Sequence, residues 1–161
     1  MDRLDCLVRL VLISSCLIWM GGCGGPSDAP ELAYASGTVS FDGEPLPDAT
    51  VAFTSKDPGK GYKAGLGTTD ESGRFVLRSY DQNGVVTGPH EVSISCTDPD
   101  SWPKDENGNR MSPLSPGWKP QESVIPVLYG NPSQSGLTAE VTSGADNEFT
   151  FELTSEYDGG K

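Results

Sequence analysis

In stretch after stretch of this 161-residue chain every second residue is apolar, and that alternation leaves few ways of burying the apolar side. Phe149, Phe151 and Leu153 stand against Glu148, Thr150, Glu152 and Thr154; Val92, Ile94 and Cys96 against Glu91, Ser93, Ser95 and Thr97; Leu137, Ala139 and Val141 against Thr138, Glu140 and Thr142. Successive side chains of an extended strand point to opposite faces, so period two gives each segment one face for a core and one for water. Gly37 to Phe41, with Val39 and Phe41 inward, and Thr50 to Ser55, with Val51 and Phe53 inward, read the same way. No window sustains a period of 3.6, the helical alternative.

The turns have local mechanisms. In Thr69-Asp70-Glu71-Ser72-Gly73-Arg74-Phe75-Val76-Leu77, Asp70 and Ser72 can bond nearby backbone and Gly73 can take a positive φ, so two extended segments are expected to meet there as a hairpin. Tyr62 to Thr68 is the strand before it and Arg74 to Ser79 the strand after, with Phe75 and Leu77 on one side and Arg74, Val76 and Arg78 on the other. Asp42-Gly43 supplies another turn, and Pro45-Leu46-Pro47 reads as an edge or bend because proline donates no ladder hydrogen bond. About seven short strands joined by Gly and Asp turns predict an all-β chain, an antiparallel β-sandwich over residues 36–155 with a tail at 156–161.

Ahead of this body, Arg3 and Arg9 precede an apolar run from Leu10 to Met20 that is too short to span a bilayer comfortably and reads as a cleaved secretory signal. Met20-Gly21-Gly22-Cys23 resembles the lipobox of bacterial lipoproteins, although Met20 and Gly21 stand where leucine and alanine or serine are usual. That resemblance implies a lipoprotein signal peptide at 1–22, lipidation of Cys23 and a membrane-anchored place in the cell envelope, facing the periplasm or exterior. Several acyl chains at about 0.8 kcal/mol per buried CH₂ would hold the chain on a membrane. Residues 23–35, with Pro26, Ser27 and Pro30, read as anchor and flexible linker. Cys96 is then the ordinary cysteine of the mature chain, an inward-facing thiol packed as a small hydrophobe. The net charge of −12 leaves no clustered Lys and Arg for phosphates and argues against nucleic acid.

The segment from Asp98 to Gln121 breaks the alternation. It carries five prolines and the tryptophans Trp102 and Trp118. Exposed indoles there can supply a platform for a glycan or peptide, or they can fold back over an open end of the sandwich. The acids and amides Asp98, Asp100, Asp105, Glu106, Asn107 and Asn109 miss the EF-hand order of ligands and read as solvated loop groups, so no metal or other cofactor is expected. His90 is the chain's one histidine, and no nucleophile motif or zinc-ligand spacing accompanies it, so no catalytic residue is assigned.

Taken in order, Gly37-Thr38-Val39, Asp42-Gly43-Glu44-Pro45-Leu46-Pro47-Asp48-Ala49, Val51 with Phe53, Thr69 to Phe75 and Gly88-Pro89-His90-Glu91-Val92 resemble the carboxypeptidase regulatory-like family. The segments Ile125 to Pro132, Ser135 to Leu137 and Phe149 to Leu153 extend the likeness to small lipoproteins of the planctomycete type. The resemblance implies a transthyretin-like, prealbumin-type sandwich and a non-catalytic accessory or structural module; read with the leader, it leads to the expectation of a structural or protein-interaction role with an envelope protein or polysaccharide as partner. The transthyretin-like hydrolases end in Tyr-Arg-Gly-Ser, whereas this chain ends Glu156-Tyr157-Asp158-Gly159-Gly160-Lys161.

Overall fold

The computed structural model describes residues 31–57, 64–79 and 82–159. The leader 1–22, Cys23, most of the linker and the start of the strand expected from Tyr62 lie outside the described residues. Within them the chain forms β1 (Leu32–Ala33), β2 (Ala35–Phe41), β3 (Glu44–Pro45), β4 (Thr50–Ser55), β5 (Gly65–Thr68), β6 (Arg74–Val76), β7 (Arg78–Ser79), β8 (Gln82–Asn83), β9 (Val85–Val86), β10 (Gly88–Ser95), β11 (Leu137–Val141) and β12 (Asn147–Leu153). Two 3-10 turns, Pro99–Ser101 and Val127–Gly130, interrupt the long connection between β10 and β11, and there is no α-helix among the described residues. The larger sheet runs β11-β10-β4-β5-β7-β8; the smaller runs β12-β2-β3, with β6 also on β2; β1 and β9 form a separate ribbon.

Most of the expected faces are the observed ones, but Ser93, expected on the water side of its strand, is buried between Val92 and Ile94. Val51 and Phe53 of β4 and Val92 and Ile94 of β10 have no exposed surface, and Val39, Phe75, Phe151 and Leu153 from the other sheet are buried against them. Phe53 is the hub: the rings of Phe149, Phe151 and Phe75 lie 5.3, 6.1 and 6.5 Å from it. Those three rings come from β12 and β6, so the two sheets meet face to face across one apolar layer. Each such burial contributes roughly 1.5–3 kcal/mol, and tilted aromatic pairs add to it.

Direction departs from expectation at one ladder. β2 and β12 pair parallel, from Asn147↔Ala35 to Leu153↔Phe41, while every other strand pair is antiparallel. Parallel neighbours need a long crossover, and here the chain from β3 to β11 serves as one. Alternation is blind to this, since it reads the same in either direction. Gly37 makes the close approach possible: a Cβ there would lie 2.2 Å from the Phe149 carbonyl oxygen and 2.8 Å from the Phe75 ring.

The turn at Asp70 forms as expected, but the hairpin around it is split. Asp70 N–H donates to Arg74 O at 2.8 Å and Gly73 N–H to Asp70 O at 2.9 Å, with Gly73 at φ 75°. The same register returns at Leu66↔Arg78. Between those points β6 leaves β5 and pairs with β2 (Ser36↔Val76, Gly37↔Phe75, Thr38↔Arg74), so one arm of the turn bridges both sheets. Local turn chemistry sets the first contact; the free edge of β2 takes the next three residues.

One boundary also moves. The linker was expected to reach Ala35, yet Leu32 and Ala33 pair with Val86 and Val85, and Ala35 is fully buried. A short unalternating apolar run carries no period to mark it as strand. Asn147 is buried although polar: its side-chain amide donates to Tyr34 O, Thr142 O and Ala145 O and its Oδ1 accepts from Thr142 N–H at 2.8 Å, which closes the turn from β11 into β12.

Candidate functional site

The segment 98–121, the sequence's candidate, contains a second copy of the Asp70 turn. Asp105 N–H donates to Asn109 O at 2.8 Å, Gly108 N–H donates to Asp105 O at 2.9 Å, and Gly108 has φ 80°. Asp105 Oδ1 accepts from the N–H groups of Asn107 and Asn109 at 2.9 and 2.8 Å, as Asp70 Oδ1 accepts from those of Ser72 and Arg74 at 2.9 and 3.0 Å. Asp70-Glu71-Ser72-Gly73 and Asp105-Glu106-Asn107-Gly108 share the pattern Asp-Glu-x-Gly, so the signal was present in the sequence. The turn caps a short hairpin, with Lys104 bridged to Arg110 and Met111 N–H donating to Pro103 O at 2.8 Å.

These bonds determine what the loop acids can do. The Ser72 hydroxyl, then the Arg74 N–H, hold the Asp70 carboxyl below the usual range; the Asn109 N–H is the main cause of the same shift at Asp105. Hydrogen bonds to the ionised form favour it. Asp98 Oδ1 accepts from Asp100 N–H at 2.8 Å. The carboxylates therefore organise backbone. The neck of the segment is tied by Asp98 N–H to Glu122 O, Gln121 Nε2 to Asp98 O and Glu122 N–H to the Ser101 hydroxyl, at 2.9, 3.2 and 2.9 Å. Its ends are close together, as in a compact surface loop.

Trp102 and Trp118 are both half-buried in this loop. Trp102 Nε1–H donates to Met111 O at 3.2 Å, and the Arg110 guanidinium carbon lies 5.5 Å from the ring centroid. One face of that indole is thus already occupied by a cation. Trp118 follows a turn closed by its own N–H on Ser115 O, and its Nε1 is buried. Among the described residues no ring contact joins the two indoles.

The structure offers a place that alternation did not point to. A cleft of about 460 Å³ opens where β6 crosses between the sheets, lined by Tyr34, Ser36, Asp70, Arg74, Val76 and Glu148 among others. Tyr34 is 57% exposed, and Arg74 and Glu148 approach to 3.9 Å with both side chains largely in water. Exposed pairs of that length stabilise little, so both groups remain available to outside partners.

The remaining chemistry-bearing residues are taken up by packing. His90 is 1% exposed, its ring 5.8 Å from that of Phe53. Its Nδ1 sits 2.9 Å from Gly88 O, so that nitrogen carries the proton and donates to the carbonyl. Burial pushes the His90 pKa down, keeping the ring neutral. The Cys96 thiol is 6% exposed and donates weakly to Pro47 O at 3.7 Å; burial, then the nearby Asp48 carboxylate, push its pKa up. A thiol so placed is a poor nucleophile.

Comparison with family profiles, with characterised proteins and with solved structures returns no match to this chain.

Proposed function

We propose that the chain is a non-catalytic, lipid-anchored cell-envelope protein whose folded body is a transthyretin-like sandwich of the carboxypeptidase regulatory-like kind, acting as a structural or protein-interaction module. The observation that carries the non-catalytic part is His90, the chain's one histidine, which lies 1% exposed with its Nδ1–H donated to Gly88 O. General acid–base work at neutral pH depends on a group that both titrates near there and reaches substrate. The leader pattern and Met20-Gly21-Gly22-Cys23 support the anchor. The alternative, a glycan or peptide platform on Trp102 and Trp118, loses support because Arg110 covers one indole and the Trp118 N–H is buried.

The anchor is tested by Cys23→Ala. The wild-type chain is expected to fractionate with membranes and to carry the mass of its acyl groups, and the variant to appear in the soluble fraction without that mass. A variant that stays on membranes at unchanged mass refutes the anchor.

A further inference from the structure

β12 ends the smaller sheet, with β2 on one side and no strand on the other among the described residues. An edge of that kind leaves backbone N–H and C=O groups able to pair with an added strand. The edges of this molecule are not alike. β3 is two residues long and contains Pro45, and β8 is two residues long, which blunts both. β11 spans five residues with one acid, Glu140, while β12 spans seven with two and has no proline, glycine or lysine to interrupt it. Phe149 points toward the core from β12 yet is only half-buried, as expected of an inward residue where a layer stops.

Charge selects the occupant. The solvent face of β12 presents Glu148, Thr150 and Glu152, and the cation beside it, Arg74, stands 3.9 Å from Glu148 in water. A second copy laid antiparallel over the whole strand would set Glu148 opposite Glu152 at both ends, and like charges directly opposite destabilise a pair. A strand with lysine or arginine at alternate positions meets opposite charges at those places. The net charge of −12 draws the same partner and repels another copy of the chain.

We propose that β12 accepts an extended segment of another protein, with Lys or Arg at every second position, as a further strand of the smaller sheet. The inference rests on the reading of the body as an interaction module and is independent of the anchor, so either can fail alone. The probe is a peptide as long as β12 that alternates lysine with valine, titrated into the full chain and followed by fluorescence anisotropy and amide hydrogen exchange. Binding is expected, with slowed exchange confined to residues 147–153 and their neighbours. A version N-methylated at alternate amides, which keeps the charges and loses ladder donors, is expected to bind about ten-fold more weakly or worse. Glu152→Lys is expected to weaken binding of the unmodified peptide about five-fold, whereas Glu106→Lys, on the Asp105 turn of the 98–121 segment, leaves it unchanged. The proposal is overturned by absence of binding, by equal affinity for the N-methylated peptide, by equal losses in the two variants, or by a wild-type dimer whose β12 amides are already protected.

Discussion

Gly73 and Gly108 occupy the same place in the same turn, at φ 75° and 80°, yet they differ in surroundings. A Cβ on Gly73 would lie 2.4 Å from Val39 O and 3.2 Å from Leu46 N, whereas one on Gly108 would meet nothing within 4 Å. The left-handed conformation costs a non-glycine residue about 1–2 kcal/mol wherever it occurs. Gly108→Ala is therefore expected to lower stability by about that amount, and Gly73→Ala by roughly 3 kcal/mol or more because β2 and β3 must also move. Urea denaturation of the two variants side by side checks this; equal losses would mean that the contact with Val39 is not the constraint. Both turns are legible from their residues, since an Asp carboxylate bonding backbone N–H groups shortly after it is a local event. The closeness of Val39 to one of them is not local, and nothing in Asp-Glu-Ser-Gly announces it.

Among elements, β12 and β2 carry the largest difference between expectation and structure. Their facing residues follow the alternation, but their parallel direction depends on which free edge the last strand meets. Gly37 is where this becomes measurable. Gly37→Ala forces a methyl group against the Phe149 carbonyl, whose backbone has no flexible end to yield, and against the Phe75 ring. The expected cost is about 3 kcal/mol or more. Hydrogen exchange should quicken first in β12; uniform quickening across both sheets would show that the β2–β12 ladder is not the element that gives way. The split hairpin follows the same logic: Phe75 and Leu77 are inward residues by parity, and parity does not say whether β5 or β2 supplies the hydrogen bonds. Asn147 was equally hidden, because the last residue of the turn Ser143-Gly144-Ala145-Asp146-Asn147 carries no sign of burial until the carbonyls of Tyr34, Thr142 and Ala145 converge on it.

For the molecule as a whole, the buried His90 makes stability depend on pH. Its pKa is depressed in the folded state from an ordinary value of 6.5, so the unfolded chain takes up a proton that the folded chain declines. The stability is full above about 6.5 and is lost as the pH falls toward the folded value. Asp70 and Asp105 act in the same direction in a lower window, below their ordinary value of 3.8, where the turns lose their carboxylate acceptors. His90→Gln is expected to flatten the slope of the denaturation midpoint between pH 7 and 5 while leaving the acid-limb unfolding in place, since the ordinary histidine range lies in the first window and carboxylates titrate below it. An unchanged slope would show that His90 takes up its proton without opening the core.

Most of the side chains that face inward, where the chain turns, and the lack of an α-helix among the described residues were readable from residue order, because each depends on neighbours a few positions apart. Strand direction, the crossing of β6 between sheets, the early start at Leu32 and the seven-residue edge of β12 came from contacts between residues far apart along the chain. Period-two burial makes many pairings equally acceptable locally, and the choice among them is made by the packing of Phe53, Phe75, Phe149 and Phe151 into one layer.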